Sequence, residues 1–397
     1  MEIASRVKLD FNNTEIAFRG KSDRDLNKAY WLFKMIGSNT LIKLGTPIAN
    51  FSLKIGLPIQ GIIRNTIYKQ FCGGESIEGC HTAIQELAKG GVSTILDYSV
   101  EGKDSEESFD ATCAEILRTI EAAKTNPSIS FSVFKVSGIG RFDLLAKKDA
   151  KEPLSAQEEE EFQRIWHRCD RICRASYDAN IPVSIDAEHS WTQETVDDLA
   201  REMMEKYNRQ RPIVYNTYQL YRHDKLASMK ADYAYANTQG FHLGAKVVRG
   251  AYMELERERA AAMGYPSPIQ PDKEATDADF NAAIEFALDH LSEVGLMAGT
   301  HNEESSRLLA EELDRRGIAH NDPHIHFAQL LGMSDNLSFN LATGGYNVAK
   351  YMPYGPVKSV LPYLFRRAQE NTSVEGQTGR ELMLITKELD RRRGRTK

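Results

Sequence analysis

From residue 90 onward, short β-rich apolar runs alternate with longer stretches whose apolar residues recur every three or four positions. The runs 94–99, 129–136, 182–188, 213–219, 243–250, 296–301, 324–330 and 347–351 predict eight strands. Between them, Ser155-x-x-Glu158 and Ser190-x-x-Gln193 have the form of a capping box, in which side chains satisfy the free N–H groups of a helix start. Phe280, Ala283, Ile284, Ala287, Leu288 and Leu291 share one helical face. Eight consecutive β/α repeats predict an α/β protein whose parallel strands close into a (β/α)8 TIM-type barrel rather than an open sheet. The first 72 residues read as an N-terminal helical arm packing on that barrel, with Tyr30, Trp31 and Phe33 on an apolar face and Gly37, Pro47 and Pro58 as punctuation. The expected organisation is an arm over 1–72, a barrel over 73–373, and a polar, solvated closing helix over 374–397 that ends in Arg391, Arg392 and Arg393.

Composition narrows the setting. A chain of 397 residues has room for one large α/β barrel or two ordinary domains. No apolar run approaches the roughly 20 residues of a spanning helix, and the start, with Glu2 and Asp10 close in, lacks signal-peptide form. Five cysteines without a Cys-x-x-Cys pair fit a reducing compartment. The expected location is therefore a bacterial cytoplasm, with peripheral association at the inner membrane. The net charge of −6 hides an asymmetry: residues 1–72 hold 11 Lys/Arg against 5 Asp/Glu, a net of +6, which leaves −12 for the rest. A basic apolar arm could touch anionic lipid, but with no tight Lys/Arg cluster, scattered lysines on solvated helix faces are the plainer reading. No basic stripe with interleaved aromatics points to nucleic acid.

Barrel enzymes carry their chemistry where strands end, and here those ends are polar. Strand one ends near Asp97, with Glu101 beyond; strand two carries Lys135, strand three Asp186, strand four Gln219. Strand five carries Lys246, with Arg249 and Tyr252 after it, strand six ends Thr300-His301-Asn302, and strand eight supplies Tyr351. An ion pair between Lys135 and Asp186 is the plain structural reading of those two. Past Gly355 and Pro356 a helical pattern displays Arg366 and Arg367 beside Leu361, Tyr363, Leu364 and Phe365. Adjacent guanidiniums near an apolar surface are costly unless an anion meets them, and their fork suits a carboxylate. The set suits a small carboxylate substrate beneath a planar cofactor. Neither a Gly-x-Gly-x-x-Gly fingerprint nor a Gly-x-Ser-x-Gly elbow occurs. His324-x-His326 is the one metal-like spacing; it sits at the start of a strand without an acid at ligand distance, so no metal is expected.

Four motifs, Lys246-Val-Val-Arg-Gly-Ala-Tyr252, Thr300-His-Asn302, Phe327-Ala-Gln-Leu-Leu-Gly-Met333 and Tyr363-Leu-Phe-Arg-Arg-Ala-Gln-Glu-Asn371, resemble the proline dehydrogenase family, in its order and over roughly 90–371. The chain looks closest to the monofunctional, mitochondrial-type branch. The resemblance implies a distorted barrel that binds FAD and oxidises L-proline to 1-pyrroline-5-carboxylate by hydride transfer to the flavin N5. Electrons would pass to a membrane quinone, and a separate 1-pyrroline-5-carboxylate dehydrogenase would take the product. It further implies that Arg366 and Arg367 clamp the carboxylate, with Glu101 pairing to Arg366. Lys135 and Asp186 would border the substrate, and Tyr252, Leu330, Tyr351 and Tyr363 would shape its ring pocket. Ala187, Gln219, Lys246, Arg249, Gly250, Ala251, Thr300, His301, Asn302 and Glu370 would hold the flavin, with Asp186, Lys135 and Lys246 the residues nearest the chemistry. Lys246 stands where the bifunctional relatives have Arg, and His189 where another acid often stands. Oxidation of trans-4-hydroxy-L-proline on the same fold is the near alternative, which Tyr351 disfavours by crowding a ring hydroxyl; a non-catalytic amino-acid-binding barrel is the distant one.

Overall fold

The structure is a computed structural model that describes residues 9–37, 60–100, 104–364 and 377–394. Eight strands, β1 (Ser93–Tyr98), β2 (Ile129–Lys135), β3 (Val183–Asp186), β4 (Val214–Gln219), β5 (Leu243–Val248), β6 (Val294–Gly299), β7 (Ile325–Leu330) and β8 (Val348–Tyr354), run in sequential order around a closed barrel. Parallel ladders join β2 through β7 pairwise. The barrel is thus the (β/α)8 architecture that the eight repeats predict. β8 runs three residues past its expected end, through Pro353, whose carbonyl accepts from the Gly73 N–H.

Two compact units divide the chain. One comprises Ile95–Tyr98 and Gly102–Ala328. Its strands are buried on both faces, as parallel strands between helices must be: Phe131, Val183, Ile185, Ala245, Val247, Leu296 and Phe327 are fully enclosed. Phe131, Tyr215 and His326 form an edge-to-face aromatic layer, with Phe131 5.3 Å from Tyr215 and 4.9 Å from His326 between ring centroids. The long helix Ala156–Ala179 opens on the capping box read from Ser155 and Glu158. The second expected box does not form. Ser190 is the first helical residue of Ser190–Tyr207, and the buried Glu256 carboxylate accepts both its N–H and its hydroxyl at 2.6 Å, so the hydroxyl is unavailable as a cap.

The other unit comprises Met1–Thr94, Ser99–Glu101 and Gln329–Lys397. Its core joins Leu26 and Phe33 of helix Asp23–Ile36 to Phe71, Leu364, Leu384 and Ile385. Helix Gln377–Arg392 carries an apolar stripe as well as its charges. Arg391 and Arg392, read from sequence as solvated, both meet the buried Glu388, Arg391 as a two-pronged fork and Arg392 through Nε alone, and Arg392 also reaches Asp23.

Candidate active site at the strand ends

In the unit that holds β2 to β6, the C-terminal strand ends bring charges together. Lys135 and Asp186 close β2 and β3 as register partners, yet they are not each other's ion pair. Asp186 accepts from the Lys246 ammonium of β5 at 2.6 Å, with both side chains largely buried. Lys135, a third exposed, lies 3.9 Å from Glu188, whose other oxygen accepts from the Ser137 hydroxyl. The Tyr252 phenol, then the carboxylates Glu188, Asp97 and Asp186, raise the Lys135 pKa against the opposing effect of desolvation. Lys135 is therefore a fixed positive charge and not a base.

Gln219 ends β4 and is 2% exposed. Its amide nitrogen donates to the Glu188 carbonyl at 3.0 Å, which leaves the amide oxygen enclosed without a partner. An enclosed acceptor is costly until a donor arrives. Ala187 lies half-buried in the loop between these groups in sequence, one residue past β3.

Past β5 the backbone of Gly250 takes φ +132°, and a Cβ there would lie 2.5 Å from the Tyr221 ring. Only glycine fits both the conformation and the space. This turn exposes Ala251 and sets the Tyr252 ring 4.5 Å from His189, itself stacked at 4.4 Å on Trp191. Arg249 is fully engaged: it donates to Asp277 and Thr300 at 2.7 Å and to Ser305 at 2.9 Å, and lies over the Phe280 ring. Burial draws its pKa down, with Asp277 opposing. The Thr300 hydroxyl also accepts from the Asn302 N–H, and Asn302 caps helix Glu303–Arg316 through the Ser305 N–H. His301 lies between them, half-buried.

Within the other unit, Leu330 is the last residue of β7, Tyr351 is buried in mid-β8, and Tyr363 is buried in the helical turn 361–364. Glu101, Arg366, Arg367 and Glu370 lie outside the described residues. His324 turns to Asp322 at 3.2 Å, while His326 faces the aromatic layer. Among the described residues no group of three or more His, Cys, Asp or Glu side chains is placed to hold a metal, and all five cysteines are buried free thiols.

Three groups escaped the sequence reading: Glu188, which meets both Lys135 and Gln219; Asp277, which seats Arg249; and the buried Glu256. Glu188 stands only two residues past Asp186, so its place beyond a polar strand end was a usable signal. Asp277 and Glu256 look like ordinary charges on helix faces and gave none.

A parallel barrel with charge and an unanswered amide gathered at its strand ends is a barrel of the enzyme class. The chain belongs to the proline dehydrogenase family, whose family model matches residues 80–380. It is an oxidoreductase acting on proline, in the catabolism of that amino acid. It is 32% identical to Proline dehydrogenase 1, mitochondrial, of Dictyostelium discoideum over 97% of this chain and 75% of that protein. It is 31% identical to the Arabidopsis thaliana protein of the same name over 97% of this chain and 86% of that one. Proline utilization A from Bdellovibrio bacteriovorus, inactivated by N-propargylglycine, shares the fold with a TM-score of 0.72 at 18% identity, over 93% of this chain and 40% of that longer one. The relatives correct one expectation. Their mitochondrial names overturn the bacterial cytoplasmic location, which rested on thiol number and on the form of the first residues, both weak signals of compartment. Among the described residues no helix is long and apolar enough to cross a membrane.

Proposed function

We propose that this protein oxidises L-proline to 1-pyrroline-5-carboxylate with FAD as its resident cofactor and a membrane quinone as electron acceptor, the product passing to a separate dehydrogenase. The observation that supports the cofactor best is the enclosed amide oxygen of Gln219, because a planar heterocycle that brings an N–H to it removes an unmet acceptor. Gln219, Lys246, Arg249, Gly250, Ala251, Thr300, His301 and Asn302, together with Ala187 and Glu370, would hold FAD. When bound, FAD would supply the acceptor for a hydride from the proline ring.

The chain's own groups do the positioning. Arg366 and Arg367 would take the carboxylate, with Glu101 paired to Arg366, so that orientation is set before reaction. Tyr252, Leu330, Tyr351 and Tyr363 would bound the ring. Lys135, held protonated by its neighbours, contributes positive potential and leaves proton acceptance to Asp186 or solvent. The secondary amine must lose its proton first, since an ammonium cannot stabilise the developing iminium. An Asp186→Asn variant with an unchanged pH profile for proline oxidation would clear Asp186 of that role.

The test is to add L-proline to the purified protein without oxygen and follow the visible flavin band. Bleaching, with recovery on adding a quinone, is the expected result. A band that bleaches only with trans-4-hydroxy-L-proline would replace the substrate, and a colourless protein that binds proline by calorimetry would remove the cofactor and with it the reading.

A further inference from the structure

Lys350 is fully buried, and nothing in the proposed chemistry uses it. Its ammonium lies 3.1 Å from Asp335 and donates to the carbonyls of Leu330, at 3.3 Å, and Met333. Three N–H groups thus meet three acceptors, the full capacity of a lysine. All these residues lie in one compact unit.

The acceptors bracket the loop that follows β7, from Leu330 at the strand's end through Met333 to Asp335 at the start of helix Asp335–Thr343, and that loop is held in uncommon conformations. Gly332 has φ +79°, with the Gln70 carbonyl 2.1 Å from where a Cβ would stand, and the Gln70 amide donates to the Gly332 carbonyl at 2.8 Å. Ser334, a non-glycine residue, has φ +50° and donates its N–H to the Glu381 carboxylate of helix Gln377–Arg392 at 2.6 Å. Backbone of this kind persists only when its surroundings over-determine it.

Lys350 immediately precedes Tyr351, and successive side chains of a strand point to opposite faces. The lysine therefore grips the Leu330 carbonyl from one face of β8 while its own backbone presents Tyr351 on the other, and the Leu331 N–H ties back to the Tyr351 carbonyl at 2.8 Å. We propose that Lys350 is a specificity-positioning residue, which sets the separation of Leu330 and Tyr351 and so the ring size the substrate pocket accepts. This rests on the reading of Leu330 and Tyr351 as ring-pocket walls. A buried ion pair is a poor stability device, since apolar replacements are often neutral or better; a fixed position for two walls is what an apolar side chain would not supply.

The test compares wild type, Lys350→Met, and Ile84→Ala, a buried variant of the same unit outside the core cluster that holds Met333 and Leu330. For each, the KM for L-proline, the inhibition constant of L-pipecolate, whose ring is one methylene larger, and Tm are measured. Wild type should discriminate between the rings. Lys350→Met should lower the ratio of inhibition constant to KM at least ~10-fold, the scale of one methylene in an apolar pocket. Ile84→Ala should lower Tm and leave the ratio unchanged. A Lys350→Met protein whose Tm falls but whose ratio holds would overturn the proposal. If that variant does not fold, Glu381→Gln, which weakens the other side of the loop, should shift the ratio in the same direction, and an unchanged ratio there overturns it too. Should wild type turn over neither ring, the functional reading fails by itself; hydrogen exchange at the Leu331 amide then decides, faster exchange in Lys350→Met supporting the anchor and equal exchange refuting it.

Discussion

Asp186 and Lys246 form a pair whose partners are 15% and 7% exposed at the side chain. Removing one charge from such a pair takes from the other its nearest counter-charge, which costs up to about 3–5 kcal/mol. Lys246→Met should therefore lose stability on that scale in denaturant titrations, and Asp186→Leu combined with Lys246→Met should recover most of it. A double variant that loses the sum of what Lys246→Met and Asp186→Leu lose separately would mean that the two charges are not coupled. For the guanidinium that the family resemblance assigns to the carboxylate, Arg367→Met should lower kcat/KM for proline at least ~100-fold, since removing a charge-assisted bidentate partner costs about 3 kcal/mol or more. Near-normal turnover would dismiss the assignment. These residue types were legible in the sequence because a polar side chain at a strand end stands out from apolar runs. Their pairing was not. Lys135 and Asp186 are neighbours in register, yet each takes another partner, Asp186 reaching over β4 to a residue of β5, because alternate strands of a parallel barrel share a layer.

Elements were the most readable level. All eight strands lie where the apolar runs place them, and the Ser155 box starts its helix. The Ser190 box failed because Glu256, far along the chain and fully enclosed, outcompetes a local cap. The turn after β5 offers a direct test. Gly250→Ala would force a Cβ against the Tyr221 ring at a φ of +132°. Strain of this kind costs about 1–3 kcal/mol, so the variant should be destabilised on that scale, and weakened retention of the FAD proposed above, read from the flavin-to-protein absorbance ratio, should accompany it. Unchanged stability would show that the turn relaxes freely.

At the scale of the molecule, the aromatic layer makes stability pH-dependent. Burial, then the neighbouring His324, draws the His326 pKa down to about 4, with Asp322 opposing weakly. Its ring nitrogen Nδ1 has no partner. In the unfolded chain the same imidazole titrates near 6.5. Between these values the unfolded state binds a proton that the native state refuses, so stability is complete above about pH 6.5, falls as the pH drops toward 4, and loses no more from this group below that. The difference amounts to about 3 kcal/mol at ~1.4 kcal/mol per pH unit. Denaturation midpoints of wild type and His326→Phe between pH 7 and 4 should diverge accordingly, and parallel curves would refute the assignment.

Periods and residue chemistry are legible along the chain alone: eight strands separated by helices, hence a parallel barrel, and polar groups of identifiable type at the strand ends with motifs specific enough to name a family. Period and residue type are local properties, written within a few positions of one another. Which groups meet emerges from the folded barrel: Asp186 with Lys246, Lys135 with Glu188, Arg249 with Asp277, and Lys350 with the residues around the loop after β7. Contact between residues tens of positions apart depends on the tilt and stagger with which the strands close and on which buried charge finds an answering group first, and no spacing along the chain carries that information.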